Sequence, residues 1–331
     1  MNASAAAGKV PEQTILLDIF RKMALMRLND DQVVRQIKAG KLTVPYYSAR
    51  GQECIPAAIS VSLTQQDYLV TIYRGIHDML GKGVPLKPLW AELAGKVTGT
   101  CKGKGGPMHI THPESGCMVT TGIVGAGMPI ACGLAMASQV LGDGRVTVTN
   151  FGDGASNIGA FHESLNLASV WKLPVVFVCQ NNLYAEHTAL ELGTSVPRIS
   201  ERAASYNMPG VTVDGNDPIA TYRVARQAID RARAGNGPTL IEALTFRFLG
   251  HVLGDASEYI PKDQFETAKA NDPYPRYRQW LIDQGLADTP LLESIEREIS
   301  SEIDAAVAFA TASAEPEGIE IKRDVYAYEL S

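Results

Sequence analysis

At 331 residues, with 45% apolar and 20% charged positions, the chain is long enough to bury a large core and has the make-up of an ordinary soluble globular protein. Its net charge of -6, from 30 Lys and Arg against 36 Asp and Glu, leaves no basic footprint for nucleic acid, and no apolar run reaches membrane-spanning length. The five cysteines are odd in number, scattered and free of CxxC spacing, which predicts reduced buried thiols in a cytoplasmic setting and argues against a zinc site.

Residues 1–13 lack the pattern of a secretory signal and read as a flexible tail ahead of one α/β domain over 14–331. Ile15, Leu16, Ile19, Phe20, Met23 and Met26 recur at helical spacing, which predicts a helix over 13–39 stopped at Gly40. A second helical stretch covers 84–94. The Gly/Lys segment 95–106 then reads as a mobile loop, because Gly99, Gly103, Gly105 and Gly106 carry no side chain that would fix it. Small residues from Gly125 to Ala135 predict a tightly packed core helix that lets another helix close in. Strands at 145–151 and 174–180 enclose a helix at 160–171, and strands at 211–213 and 238–246 enclose another at 218–234. Residues 249–269 show no clear period and include a surface loop, while 290–313 reads as a terminal helix. Strands alternating with helices predict an α/β fold with a doubly wound, mainly parallel sheet.

Gly152-Asp153-Gly154 ends one of these strands, and Asn181-Asn182 ends the next. Both polar clusters therefore fall at the carboxyl edge of the sheet, where open parallel sheets bind ligands. Asp153 offers a carboxylate and Asn182 a side-chain carbonyl, hard oxygen donors suited to magnesium holding a diphosphate. Asp153 is also placed to act as a plain helix N-cap. Gly142-Asp143-Gly144 has the same three residues but precedes a strand and has no Asn pair after it, so it reads as an ordinary tight turn.

The stretch GDGASNIGAFHESLNLASVWKLPVVFVCQNNLYA resembles the cofactor motif of the alpha subunits of thiamine-diphosphate-dependent 2-oxo-acid and acetoin dehydrogenases. YSARGQE, the Tyr73-Arg74 pair, CKGKGGPMH, GIVGAGMPIACG and FLGH follow in that family's order, so the resemblance covers residues 47–251. It implies thiamine diphosphate and Mg2+ as cofactors, with Asp153, Asn182 and the backbone carbonyl of Tyr184 as metal ligands. Tyr73 and Arg74 would contact the diphosphate, Gly154 and Ala155 would open the helix whose free amides face it, and Gly122 and Val124 would lie against the aminopyrimidine ring. His251 matches a histidine on a loop over the active site. Ile76 and Leu249 stand where many relatives have histidine, and neither His77 nor His109 receives a role. The glutamate that activates the aminopyrimidine has no match in this chain: neither Glu163 nor Glu186 is placed by spacing, and the family supplies it from a beta subunit. A two-alpha, two-beta assembly is therefore implied, acting on acetoin, a related acyloin or pyruvate, with a lipoyl-bearing acyltransferase as acceptor. The VLGD segment after His251 and AEHTAL at 185–190 lie nearer the acetoin branch. Acyl transfer without a lipoyl partner, and a catalytically silent subunit, remain as alternatives.

Overall fold

The computed structural model describes residues 10–327, so most of the expected N-terminal tail lies outside the described residues. In chain order the elements are α1 (Gln13–Lys38), α2 (Cys54–Ser60), β1 (Tyr68–Ile72), α3 (Ile76–Lys82), α4 (Leu86–Leu93), β2 (Cys117–Thr121), α5 (Gly127–Leu141), β3 (Thr147–Gly152), α6 (Gly159–Val170) and β4 (Val175–Asn181). A two-residue ribbon, β5 (Tyr184–Ala185) with β6 (Thr188–Ala189), leads into the short helix α7 (Leu190–Gly193). Then come β7 (Gly210–Asp214), α8 (Pro218–Arg233), β8 (Thr239–Leu244), α9 (Lys262–Ala270), α10 (Pro273–Asp283) and α11 (Thr289–Ala312).

Six strands form one sheet in the order β2-β1-β3-β4-β8-β7, with every pairing parallel. Alternation along β4 shows why helices cover both faces. Val176 and Val178 join a core with Leu16 and Phe20 of α1, Ile229 of α8 and Ile303 of α11. Val175, Phe177 and Cys179 point the other way, into a core with Met128 of α5 and Phe161 and Leu165 of α6. Truncating Phe177, fully buried, to alanine would cost about 3–5 kcal/mol.

Local chemistry sets the element ends. Asp217 caps α8 by accepting from the backbone N–H groups of Ile219 and Ala220, with Pro218 in the first turn, where its missing N–H costs nothing. Asp143 accepts from the backbone N–H of Arg145 at 3.0 Å between left-handed Gly142 and Gly144, the tight turn expected there. Four of the cysteines are buried, Cys101 is half-buried, and all five are free. No helix among the described residues is long and apolar enough to cross a membrane.

The glycines of the 95–106 segment do a different job from the one expected of them. Glu92, fully buried at the end of α4, accepts from the backbone N–H groups of Cys101, Gly103, Gly105 and Gly106 at 2.7–3.0 Å. A Cβ on Gly99 would sit 2.3 Å from the Glu92 carboxylate, and one on Gly105 2.4 Å from the His109 carbonyl. Close approach at Gly99, Gly103 and Gly105 and a left-handed φ of 56° at Gly106 favour glycine here, and the loop wraps one buried carboxylate.

Candidate active site

Two connections diverge from β1: β2 lies on one side of it, and β3 followed by β4 on the other. A crevice opens at such a switch point, beyond the strands' carboxyl ends. There a cavity of about 420 Å³ gathers all ten site residues expected from the sequence. Tyr73 and Arg74 come from the end of β1, and Gly122 and Val124 from just past β2. Asp153, Gly154 and Ala155 follow β3, Asn182 and Tyr184 follow β4, and His251 comes from the long excursion after β8.

Charge inside this cavity is unbalanced in a specific way. Asp153 is 2% exposed and its Oδ2 has no hydrogen-bond partner. Burial pushes its carboxyl up to about 6, as happens to an acid removed from water without full compensation. Nearby, Arg74 is 6% exposed and donates to two backbone carbonyls, Ser48 at 2.6 Å and His251 at 2.9 Å, with His251 Nδ1 at 3.5 Å from its Nη2. Burial and the proximity of Arg247 draw its pKa down to about 10. Arg247, 1% exposed, donates to the carbonyls of Tyr184 and Glu186 and to the Tyr259 hydroxyl, and its Nε has no partner. Among the described residues no carboxylate forms an ion pair with either guanidinium. Burying a cation is costly unless an anion meets it. An orphaned carboxylate oxygen beside two unanswered guanidiniums fits a ligand that brings a cation and an anionic group together.

The loop after β4 is shaped to present oxygens. Asn181 Oδ1 accepts from the Leu183 N–H at 3.0 Å and Asn182 Oδ1 from the Tyr184 N–H at 3.3 Å, a double turn that places Leu183 at a φ of 71°. Such left-handed backbone is strained for leucine and is found where a site over-determines it. Tyr184's carbonyl takes Arg247 Nη1 at 2.8 Å and keeps a second lone pair. No three His, Cys, Asp or Glu side chains converge among the described residues, so a cation here would rely on amide, carbonyl and ligand oxygens besides Asp153. Gly154 is required by contact, since a Cβ there would meet Ala185 Cβ at 2.6 Å.

His251 packs edge-on to Tyr47 and Tyr73. Burial, Arg74 and Arg247 lower its pKa, so the ring is neutral at pH 7. Its Nδ1 lies 3.5 Å from Arg74 Nη2, a donor, which makes Nε2 the protonated nitrogen. Asp255 steadies the loop. Its burial favours the neutral acid, but the N–H groups of His251 and Ser257 and the Tyr259 hydroxyl outweigh this and hold its carboxyl at about 2.

Two expectations need correction. Gly154 and Ala155 do not open α6; they lie in a 3-10 turn, Asp153–Asn157, and α6 starts at Gly159 after an extended Ile158. Asp153 is not a helix N-cap either, because its side chain makes no capping bond and its Oδ2 is left bare. Neither His77 nor His109 lines the cavity, Glu163 is exposed on α6, and Glu186 reaches the rim. Sequence reasoning missed Gln52, Asp78, Gln180 and Arg247, all cavity-lining, and His187, whose ring centroid lies 6.3 Å from that of His251. Arg247, three residues past the end of the hydrophobic strand β8, was the one with a visible signal.

The model of the dehydrogenase E1 component family matches residues 21–318. The alpha subunit of acetoin:2,6-dichlorophenolindophenol oxidoreductase from Bacillus subtilis (strain 168) is 42% identical over 93% of this chain and 92% of its own length. Its counterpart from Cupriavidus necator is 38% identical over 98% of both chains. The pyruvate dehydrogenase E1 component subunit alpha of Porphyra purpurea is 38% identical over 94% of this chain and 93% of its own.

Proposed function

The chain belongs to the dehydrogenase E1 component family, and from that premise we propose that it is the alpha subunit of a thiamine-diphosphate-dependent oxidoreductase. It cleaves acetoin or a related acyloin, or oxidatively decarboxylates pyruvate, and passes the acyl unit to a lipoyl group on a partner acyltransferase. The names of its relatives, oxidoreductase and dehydrogenase subunits, favour this over acyl transfer without oxidation. Five free thiols suit a reducing, cytoplasmic compartment.

The observation that carries the reading is the pair of buried guanidiniums, Arg74 and Arg247, that no carboxylate among the described residues answers, near an orphaned Asp153 oxygen. A Mg2+ diphosphate would satisfy all three: Asp153, Asn182 Oδ1 and the Tyr184 carbonyl would hold the cation, and Arg74, Arg247 and Tyr73 would take the phosphate oxygens. Gly154 and Ala155 offer backbone N–H groups from the turn, and Gly122 and Val124 border the ring end of the cofactor. When bound there, thiamine diphosphate would supply nucleophilic carbon chemistry toward a substrate carbonyl. Neutral His251, fixed by Arg74 and Asp255, orients the carbonyl or exchanges a proton at Nε2.

A beta subunit completes the site. Exposed apolar side chains line α5 and its approach, Ile123 (71% exposed), Val124, Ile130, Val140 (81%) and Leu141, with Val170 and Trp171 beside them at the end of α6. Apolar side chains exposed in this number along α5 and at the end of α6 support burial against another chain in a two-alpha, two-beta assembly.

Asp153→Ala tests the reading. It should abolish Mg2+-dependent thiamine diphosphate binding by calorimetry and acetoin-driven reduction of 2,6-dichlorophenolindophenol together; retention of both would overturn it. The isolated chain should turn over little until its beta partner is added.

A further inference from the structure

Four side chains in the cavity wall form a hydrogen-bonded line that ends on Asn182. Asp78, on α3 and 5% exposed, accepts through Oδ1 from Gln180 Nε2 at 2.8 Å. Gln180 Oε1 accepts from Gln52 Nε2 at 3.0 Å, and Gln52 Oε1 accepts from Asn182 Nδ2 at 3.1 Å. The other Asp78 oxygen is taken by the Thr71 hydroxyl, so the carboxylate is held from both sides.

Each amide in this line has a donor end and an acceptor end of nearly the same shape, so shape alone does not decide which way it points. An ionised carboxylate decides it, because it can only accept. With Asp78 at the head, Gln180 must turn its NH2 inward, Gln52 must follow, and Asn182 is left with its NH2 spent on Gln52. Its oxygen is then the atom free for the cavity. The Tyr184 N–H contact to that oxygen, at 3.3 Å, is long and would orient it only weakly. Successive bonds of one polarity also reinforce each other in a buried setting.

We propose that Asp78 is a positioning residue: by fixing the direction of the Gln180–Gln52–Asn182 amide line, it turns the Asn182 oxygen rather than its NH2 toward the divalent cation. This rests on the cation-diphosphate reading of the site given above.

The test measures Mn2+ binding by electron paramagnetic resonance, with thiamine diphosphate present, in the complex of full-length alpha and beta chains. Asp78→Asn should raise the Mn2+ dissociation constant about 10- to 100-fold, the usual size of an outer-shell loss at a metal site. Thermal unfolding of the metal-free complex should stay cooperative. The same change is then made in an Asn182→Asp background, where a carboxylate at the far end forces the line to run in reverse and Asp78→Asn supplies the donor that the reversed line needs. There it should cost nothing or tighten binding. Equal weakening in both backgrounds, or no change in the first, overturns the proposal and leaves Asp78 as packing. A wild-type complex that takes up no Mn2+ with thiamine diphosphate overturns the site reading itself, a result distinct from either of these.

Discussion

Arg27 and Arg74 are each 6% exposed, yet the protein treats them in opposite ways. Arg27, on α1, donates to Glu53 at 2.7 Å and to both oxygens of Asp272 at 2.7 and 2.9 Å. Burial opposes its charge, but the two carboxylates outweigh that and raise its pKa above the ordinary arginine range. Arg74 meets two carbonyl oxygens and a histidine nitrogen but no carboxylate among the described residues, and burial with a second guanidinium nearby lowers it to about 10. The scaffold neutralises its own buried charge where the role is structural. At the cavity it leaves the charge without a carboxylate among the described residues, which is what the proposed anion site would need.

Arg27→Met should therefore be the most damaging change to stability. It strands Glu53 and Asp272, and urea unfolding should show a loss of about 3–5 kcal/mol; a near-neutral result would break the contrast at its structural end. Arg74→Met should do the reverse. The stability of the ligand-free protein should change by less than about 1 kcal/mol, while thiamine diphosphate affinity falls by about 2–3 kcal/mol, roughly 100-fold by calorimetry.

Asp67 with Arg233 offers a finer comparison, a paired site at the opposite, amino end of the strands. Burial favours the neutral acid, but two bonds from Arg233 at 2.8 and 2.9 Å and the N–H groups of Val146 and Thr64 hold Asp67 below its ordinary range. A depressed folded-state pKa stabilises above the unfolded value of 3.8 and loses that contribution as pH falls through the folded value. Asp67→Asn should thus cost about 1–2 kcal/mol at pH 7, and the gap from wild type should close below about pH 4 in acid titrations followed by circular dichroism. The smallest effect concerns His251. Its pKa lies below the ordinary 6.5 because of burial, Arg74 and Arg247. Once a diphosphate neutralises those cations, its NMR titration midpoint should move up, and Arg74→Met alone should move it in the same direction. A midpoint indifferent to both would mean that the guanidinium field does not reach the ring.

Much of this was readable along the chain. Helix α1 falls within a residue of its expected span, because one face of it is apolar and Gly40 ends it. In the strand-helix-strand unit from β3 to β4, the start of β3 lies two residues beyond its expected position and every other boundary lies within one residue. Strands β1 and β2 were not foreseen. Each has only five residues, too few for a period to stand out, and β2 lies at the sheet edge, where its burial is partial. The 3-10 turn after β3 was missed because a Gly-Asp-Gly followed by helix-forming residues does not say where the helix begins.

The sequence by itself encoded, in local patterns, the alternating α/β order, the glycine-rich turns and the Asp153 and Asn182 donors at neighbouring strand ends, while its resemblance to a known family named the rest of the ten residues that meet in one cavity. Tertiary structure alone decided their electrostatic state. Whether a buried arginine finds a carboxylate depends on partners 245 positions away for Arg27. For Arg74 it depends on a carbonyl 177 positions away. The amide line from Asp78 likewise joins Gln52 to Asn182 across 130 residues. Pairing, burial and polarity are properties of the space between elements, and no stretch of chain short enough to show a pattern contains them.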